Sequence, residues 1–261
     1  MRIRPKRLII EKKDNEIIKL VALADTHFGS YPYGKVDIES KLNSRMLDLF
    51  KNFDSVISLA IERKVDFFLH CGDVYKLRSP KNIERREFLK RVKRLLDAKI
   101  RCFFIIGNHD VSEDSHSLDF EEFFLPGITI VSKPSCFSYN IKGRDVNLFC
   151  LPWLNKTLDS QEERKKFFNL FITVPKAGIN IMAAHLHVQE ANIGSNDFNL
   201  TGDHTWSLSS LMALKLDAIY LGHIHKQQIL SQDPFIAYTG SLGKIDFGEK
   251  IEKKGYYYSE F

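Results

Sequence analysis

Asp25-Thr26-His27, Gly72-Asp73, Gly107-Asn108-His109-Asp110 and Gly222-His223-Ile224-His225 occur in that order, with His185 ahead of the last group. Carboxylate oxygen, amide oxygen and imidazole nitrogen are the ligand atoms that suit manganese, iron or zinc. Asp73 is able to bridge two cations, because an ionised carboxylate offers two oxygens. In D-x-H and H-x-H the period of two puts both side chains on one side of the backbone, provided strand geometry persists. Glycine before Asp73, Asn108 and His223 lets the chain turn sharply and approach an ion closely. Each signal alone is weak, since polar residues at strand ends also cap turns. Five of the nine histidines share strand ends with two carboxylates and an asparagine, and capping alone does not account for that set.

These residues need elements to carry them. EIIKLVALAD (16–25), VDFFLHCGD (65–73), RCFFIIGNHD (101–110), INIMAAH (179–185) and DAIYLGHIH (217–225) are mostly apolar runs ending on the candidate residues. Such runs are typical of buried strands. Shorter strands are expected at GITIV, CFSYNI, DVNLFCLPWL, PFIAYTG and KGYYYSEF, and RLIIE pairs with the first strand as a hairpin across KKDN. Ile38, Leu42, Met46, Leu49, Phe50, Phe53, Val56, Ile57 and Ala60 recur at helical spacing over 38–63. Further helices are expected from Asn82 to Leu96, near 160–171 and over about 207–215. The alternation argues for an α/β layered fold with helices outside. Its acids and histidines fall at carboxyl ends of strands, where open α/β sheets form ligand crevices. No Pro/Gly/Ser linker divides the chain, so one domain is expected.

With 44% hydrophobic and 27% charged residues over 261 positions, the chain is able to bury a sizeable core. No run approaches the ~18 apolar residues of a membrane span, and the basic N-terminus precedes too short an apolar run for a signal peptide. Cys71, Cys102, Cys136 and Cys150 lack C-x-x-C spacing and lie in or beside strand-like runs, which fits free thiols in a reducing, cytoplasmic compartment. The net charge of +5 is compatible with a polyanionic partner without requiring one.

The ordered set D-x-H, G-D, G-N-H-D, H, G-H-x-H resembles the calcineurin-like metallophosphoesterases. LNSRMLDLF, GDVY with Ser79-Pro80, LPWL at 151–154, AAHLHV, YLGHIHK and the closing TGSLGKIDFGEKIEKKGYYYSEF are similar, more narrowly, to the SbcD and meiotic recombination eleven family of nuclease subunits. The resemblance spans about residues 17–261. It implies an α/β four-layer sandwich, two central β-sheets flanked by helices, and a site for two divalent metal ions. Manganese is usual in the nuclease branch, with iron, zinc or magnesium as the other choices. By this resemblance one ion takes Asp25, His27, Asp73 and His225, and the other Asp73, Asn108, His185 and His223. His185 is preferred to His187 because it matches the family's single histidine. His109 matches the histidine that faces the scissile phosphate without binding metal, there to stabilise phosphoryl oxygens or protonate the leaving group. Asp110 is the candidate to orient that imidazole. Lys76, Arg78 and Lys244 are the candidate substrate contacts, expected at the cleft mouth.

The implied function is that of a metal-dependent DNA nuclease, an SbcD-like subunit of a DNA double-strand-break repair complex. Its implied partners are DNA, an SbcC-type ATPase and a second copy of itself. Two departures bear on this. Lys76 stands where archaeal and eukaryotic members carry histidine. The sequence also ends where the family's catalytic domain ends, so residues 1–261 read as the phosphoesterase domain without capping domain or ATPase-binding tail. The alternatives are a phosphodiesterase or phosphatase acting on nucleotides or other small phosphoesters, and a non-catalytic scaffold for a repair ATPase. The intact ligand set argues against the scaffold, since structural metal sites are closed and seldom dinuclear. His70 is expected as a satisfied core histidine, and His116 and His204 as surface residues. Arg86, Lys90, Lys93 and Arg94 read as a solvated helix face.

Overall fold

The computed structural model describes residues 16–29, 34–111, 115–119, 125–154, 169, 177–194 and 205–261. The hairpin expected at RLIIE and His204 lie outside them, as does the helix expected near 160–171 apart from Asn169. In chain order the elements are β1 (Lys19–Leu23), α1 (Ser44–Glu62), β2 (Phe67–His70), α2 (Asn82–Asp97), β3 (Arg101–Ile105), β4 (Ile128–Val131), β5 (Ser135–Ile141) and β6 (Arg144–Leu151). They continue with β7 (Ile179–His185), β8 (His187–Val188), β9 (Thr205–Trp206), α3 (Leu208–Met212), β10 (Ala218–Gly222), β11 (Gln228–Gln232), β12 (Phe235–Tyr238) and β13 (Tyr257–Glu260).

Two sheets form the centre. The first runs β13-β1-β2-β3-β4, with parallel pairing from β1 through β4 and β13 antiparallel at one edge. The second runs β11-β12-β10-β7-β6-β5, parallel from β12 to β6 and antiparallel at both edges. Strand β2 shows why these sequences are almost wholly apolar. Phe68 joins Phe53, Phe88 and Phe104 under α1 and α2, while Phe67 and Leu69 meet Leu148, Ile181 and Tyr220 between the sheets. A third cluster packs α3, through Leu211, against Met182, Ile219 and Tyr238. The layers are therefore helices, sheet, sheet and helix, the four-layer sandwich that the sequence resemblance implies.

Helix α1 begins later than the apolar periodicity indicates. Asn43 Oδ1 accepts the N–H of Arg45 at 2.8 Å and caps the helix at Ser44. Ile38 is left outside it, 83% exposed. Strand β11 has no apolar alternation (QILSQ) and is held as an edge by pairing with β12.

Candidate metal centre

Strands β1, β2 and β3 deliver Asp25, Asp73 and Asn108 to one end of the first sheet, and β7 and β10 deliver His185, His223 and His225 to the adjoining end of the second. The two ends meet directly. The N–H of His223 donates to both oxygens of Asp25, at 3.1 and 3.2 Å.

The condition attached to D-x-H and H-x-H, that strand geometry persists, is not met by the backbone. Asp25, His27, Asp73 and His223 have φ of 51, 44, 58 and 96°, in or beside the left-handed region that Asp and His tolerate better than most residues. These turns aim the side chains into one site, and backbone bonds clamp them. Asp25 N–H donates to Gly72 O at 3.0 Å and His27 N–H to Asp73 O at 3.1 Å. Gly72, with φ of 98°, does turn the chain ahead of Asp73, whereas Gly107 and Gly222 serve close packing. A Cβ at Gly107 would lie 2.2 Å from Asp73 Oδ1, and one at Gly222 would lie 2.0 Å from the Cys71 carbonyl.

Asp73 lies at the centre. Its Oδ2 is 3.6 Å from Nε2 of His27 and 3.6 Å from Nε2 of His185. On one side, Nε2 of His27 and of His225 are 2.9 Å apart, and Asp25, His27 and His225 have donor atoms within 4.8 Å of one another. On the other side, Asn108 Oδ1 is 2.9 Å from His185 Nε2 and 3.0 Å from His223 Nδ1, and Asp25, Asp73 and His185 form a second such group. His187 is in none of the groups found among the described residues; its ring centroid is 6.2 Å from that of His223.

The donor chemistry fits divalent cations. His185 Nδ1 is 2.8 Å from the Cys71 carbonyl, which only accepts, so Nδ1 carries the proton and Nε2 the lone pair. Burial, working against the Asp73 charge, holds this imidazole down at about 4, so it is neutral at pH 7. Its lone pair therefore faces two acceptor oxygens, Asn108 Oδ1 and Asp73 Oδ2, an arrangement that a cation between them satisfies. Burial and the neighbouring Asp73 push Asp25 well above the usual carboxylate range. Burial, then the charges of His225, His109 and Lys76, hold His27 well below the usual imidazole range. A divalent ion reverses the penalty on the carboxylates and uses the neutral imidazoles directly.

His109 lies within the same reach, grouped with His27 and Asp73. Its Nδ1 faces the Lys76 carbonyl at 3.2 Å, which directs Nε2 elsewhere. The expectation that Asp110 orients this ring is corrected. The Asp110 carboxylate instead accepts the N–H groups of Asp73, Val74, Tyr75 and Gly107 and the Ser117 hydroxyl, at 2.7–3.3 Å. It braces the loop bearing Asp73 from beneath. Burial and Asp73 push it up to about 7 even though these donors favour the ionised form.

Lys76 and Arg78 line a depression of about 530 Å³ together with Leu77, Ser79, Asn108 and His109. Lys244 is not among its lining residues; its ammonium reaches the Lys250 carbonyl, and its own carbonyl accepts from Arg45 at 2.7 Å. Arg94 is paired with Asp54 at 2.7 Å, leaving Arg86, Lys90 and Lys93 along the open face of α2. His116 is half-buried and bridges Val111. His70 is buried but only partly satisfied. Thr26 Oγ1 donates to the Val74 carbonyl and accepts from His70 Nε2 at 3.0 Å, while His70 Nδ1 has no hydrogen-bond partner among the described residues.

Sequence reasoning passed over three residues that touch the centre. Glu249 accepts from His225 Nδ1 at 2.8 Å, and Lys254 pairs with Glu249 at 3.0 Å. Trp153 lays its ring beside His223, centroids 5.0 Å apart. Trp153 stood within LPWL, but nothing in its type pointed to a histidine partner.

Residues 18–227 match the Calcineurin-like phosphoesterase family. The chain is 35% identical over 238 residues to the DNA double-strand break repair protein Mre11 of Methanosarcina mazei, covering 89% of this chain and 34% of that protein. It is 27% identical over 249 residues to the protein of the same name from Saccharolobus solfataricus, covering 92% and 58%. It thus spans 34–58% of the length of these two curated relatives. In fold it is similar to TT1561 of Thermus thermophilus, with TM-score 0.52 and 10% identity over 87% of this chain and 90% of that one. A dimetal phosphatase from Danio rerio is likewise similar, with TM-score 0.52 and 10% identity over 92% and 91%. By the match over residues 18–227, with strand-end residues converging between two sheets, the chain belongs to the calcineurin-like phosphoesterase family.

Proposed function

We propose that the chain is a DNA nuclease that hydrolyses phosphodiester bonds with two divalent ions, manganese first among them, as the SbcD-like subunit of a double-strand-break repair complex. The observation that carries this is the central place of Asp73, whose Oδ2 is equally far, 3.6 Å, from His27 and His185. One carboxylate between two donor clusters is what a bridged pair of cations needs. Asp25, His27, Asp73 and His225 would hold one ion, and Asp73, Asn108, His185 and His223 would hold the other. When bound, such a pair clamps a phosphodiester and lowers the pKa of a water.

The chain's own residues supply the rest. His109, anchored through Nδ1 to the Lys76 carbonyl, offers Nε2 to a phosphoryl oxygen or to the leaving oxygen, where it holds or delivers a proton. Lys76 and Arg78, lining the depression beside Asn108 and His109, meet the flanking phosphates of an extended strand, with the salt dependence such contacts carry. Lys244 contributes at most from the rim. Both named curated relatives are called DNA double-strand break repair proteins, which favours DNA over a small phosphoester. Residues 1–261 act in this reading as the phosphoesterase domain, with an SbcC-type ATPase and a second copy as partners.

The test is a comparison of substrates with manganese present: single- and double-stranded DNA, a chromogenic phosphodiester and a nucleotide. DNA degradation with weak small-molecule turnover is expected. The reverse pattern assigns the chain to small phosphoesters, and no turnover with any metal leaves a scaffold.

A further inference from the structure

Glu249 is fully buried in the 3-10 turn Gly248–Ile251, while Phe247 and Ile251 beside it are 73% and 92% exposed. This inverts the usual distribution, in which an acidic side chain is almost never fully buried unless it is paired. The turn sacrifices apolar burial to put a carboxylate inside, so the reason for the fold here must lie with the carboxylate's partners.

Those partners converge on one histidine. Glu249 Oε1 accepts from His225 Nδ1 at 2.8 Å, and Oε2 accepts from the N–H of Ile245 at 2.6 Å and pairs with Lys254 Nζ at 3.0 Å. Lys254 Nζ also donates to the His225 carbonyl at 3.0 Å. Ring and main chain of His225 are thus both tied to segment 245–254. The hydrogen bond to Glu249 keeps a proton on Nδ1 of His225. The lone pair then sits on Nε2, which faces His27 Nε2 at 2.9 Å and is grouped with Asp25.

We propose that Glu249 is a positioning residue for the metal centre, fixing the tautomer and ring orientation of His225 so that Nε2 faces a divalent cation shared with Asp25 and His27. Lys254 offsets the buried negative charge. Glu249 does not touch the ion; it acts through the imidazole. Loss of a carboxylate behind a ligating histidine typically weakens metal binding by about 10–100-fold. The inference rests on His225 being a ligand in the proposed function.

The experiment is a calorimetric titration of manganese into metal-free wild-type protein, Glu249→Gln and His225→Ala, with thermal unfolding of each metal-free protein. Wild type takes two ions and His225→Ala loses one of them. Glu249→Gln binds that same ion roughly 10–100-fold more weakly and the other as wild type does. Wild-type affinity for both ions in Glu249→Gln overturns the proposal, as does equal weakening of both in step with lowered thermal stability, which marks a merely structural anchor. Unchanged binding in His225→Ala removes the ligand assignment itself, a separate failure that takes the positioning role with it. Should Glu249→Gln not fold, two-bond ¹H–¹⁵N spectra of the metal-free wild type decide. A His225 ring protonated on Nδ1 is expected, and one protonated on Nε2 overturns the proposal.

Discussion

The main-chain N–H of His109 donates to Oδ1 of Asp73 at 2.9 Å. One oxygen of the central carboxylate is thereby oriented by the residue assigned to the chemistry, and the other is left between His27 and His185. Under the proposed mechanism, moving either residue would disturb both the metal centre and the proton-transfer group.

Asp73→Asn separates charge from shape. The amide oxygen still accepts the His109 N–H, but an NH2 group replaces Oδ2 and repels cations. Turnover should fall roughly a thousandfold or more, as loss of several kcal/mol of metal-borne stabilisation implies. The metal-free variant should unfold no earlier than wild type, because Asp73 and Asp25 repel each other in a buried site. DNA hydrolysis and thermal unfolding check both parts; retained manganese-dependent activity contradicts the bridging role.

His109→Gln keeps a hydrogen-bonding side chain and removes the titratable imidazole. The rate constant for hydrolysis should drop by about 10²–10⁴-fold, while calorimetry still counts two manganese ions. A variant that takes up one ion fewer makes His109 a ligand instead, which its grouping with His27 and Asp73 makes a real contrast.

Gly72→Ala tests the packing behind the site. Gly72 has φ of 98°, and an added Cβ would lie 2.1 Å from His185 Nδ1. Strain and overpacking together should cost roughly 2–4 kcal/mol in denaturant unfolding. The displaced ring should also lose its bond to the Cys71 carbonyl and bind its ion more weakly. Wild-type stability and affinity contradict the placement of His185.

His70 carries a stability dependence on pH. Burial, against the Asp73 charge, lowers it from 6.5 to about 3. Between those values the unfolded chain binds a proton that the folded chain does not. Stability from this group is therefore fully present above about 6.5 and declines as the pH falls toward 3. His70→Gln, still able to donate to Thr26, should flatten that acid slope by up to one proton relative to wild type in denaturation curves of the metal-free protein. Parallel slopes contradict the burial of a neutral ring.

Much of the site was legible because buried parallel strands are written as apolar runs, and the polar residue that ends each run stands out. Asp25, Asp73, Asn108, His185 and His223 follow or end β1, β2, β3, β7 and β10 in this way. What the alternation of residues could not convey is the backbone beyond the strand. Positive φ at Asp25 and His27 replaces the period of two with a turn of different geometry. Asp110 was read from its neighbour His109, yet its carboxylate serves amides of Asp73, Val74 and Tyr75, which are remote in sequence. Glu249 stands among charged residues in FGEKIEKK, and only the packing of the turn reveals that it alone of Phe247, Glu249 and Ile251 points inward. Strand β11 depends on its neighbour β12 for its form, so its own composition carried no signal.

The most direct test of the central claim is an anomalous difference map at the manganese edge from crystals grown with the metal. Two peaks flanking Asp73 Oδ2 are predicted, one beside Asp25, His27 and His225 and the other beside Asn108, His185 and His223. A single peak, or peaks that do not share Asp73, contradicts the account.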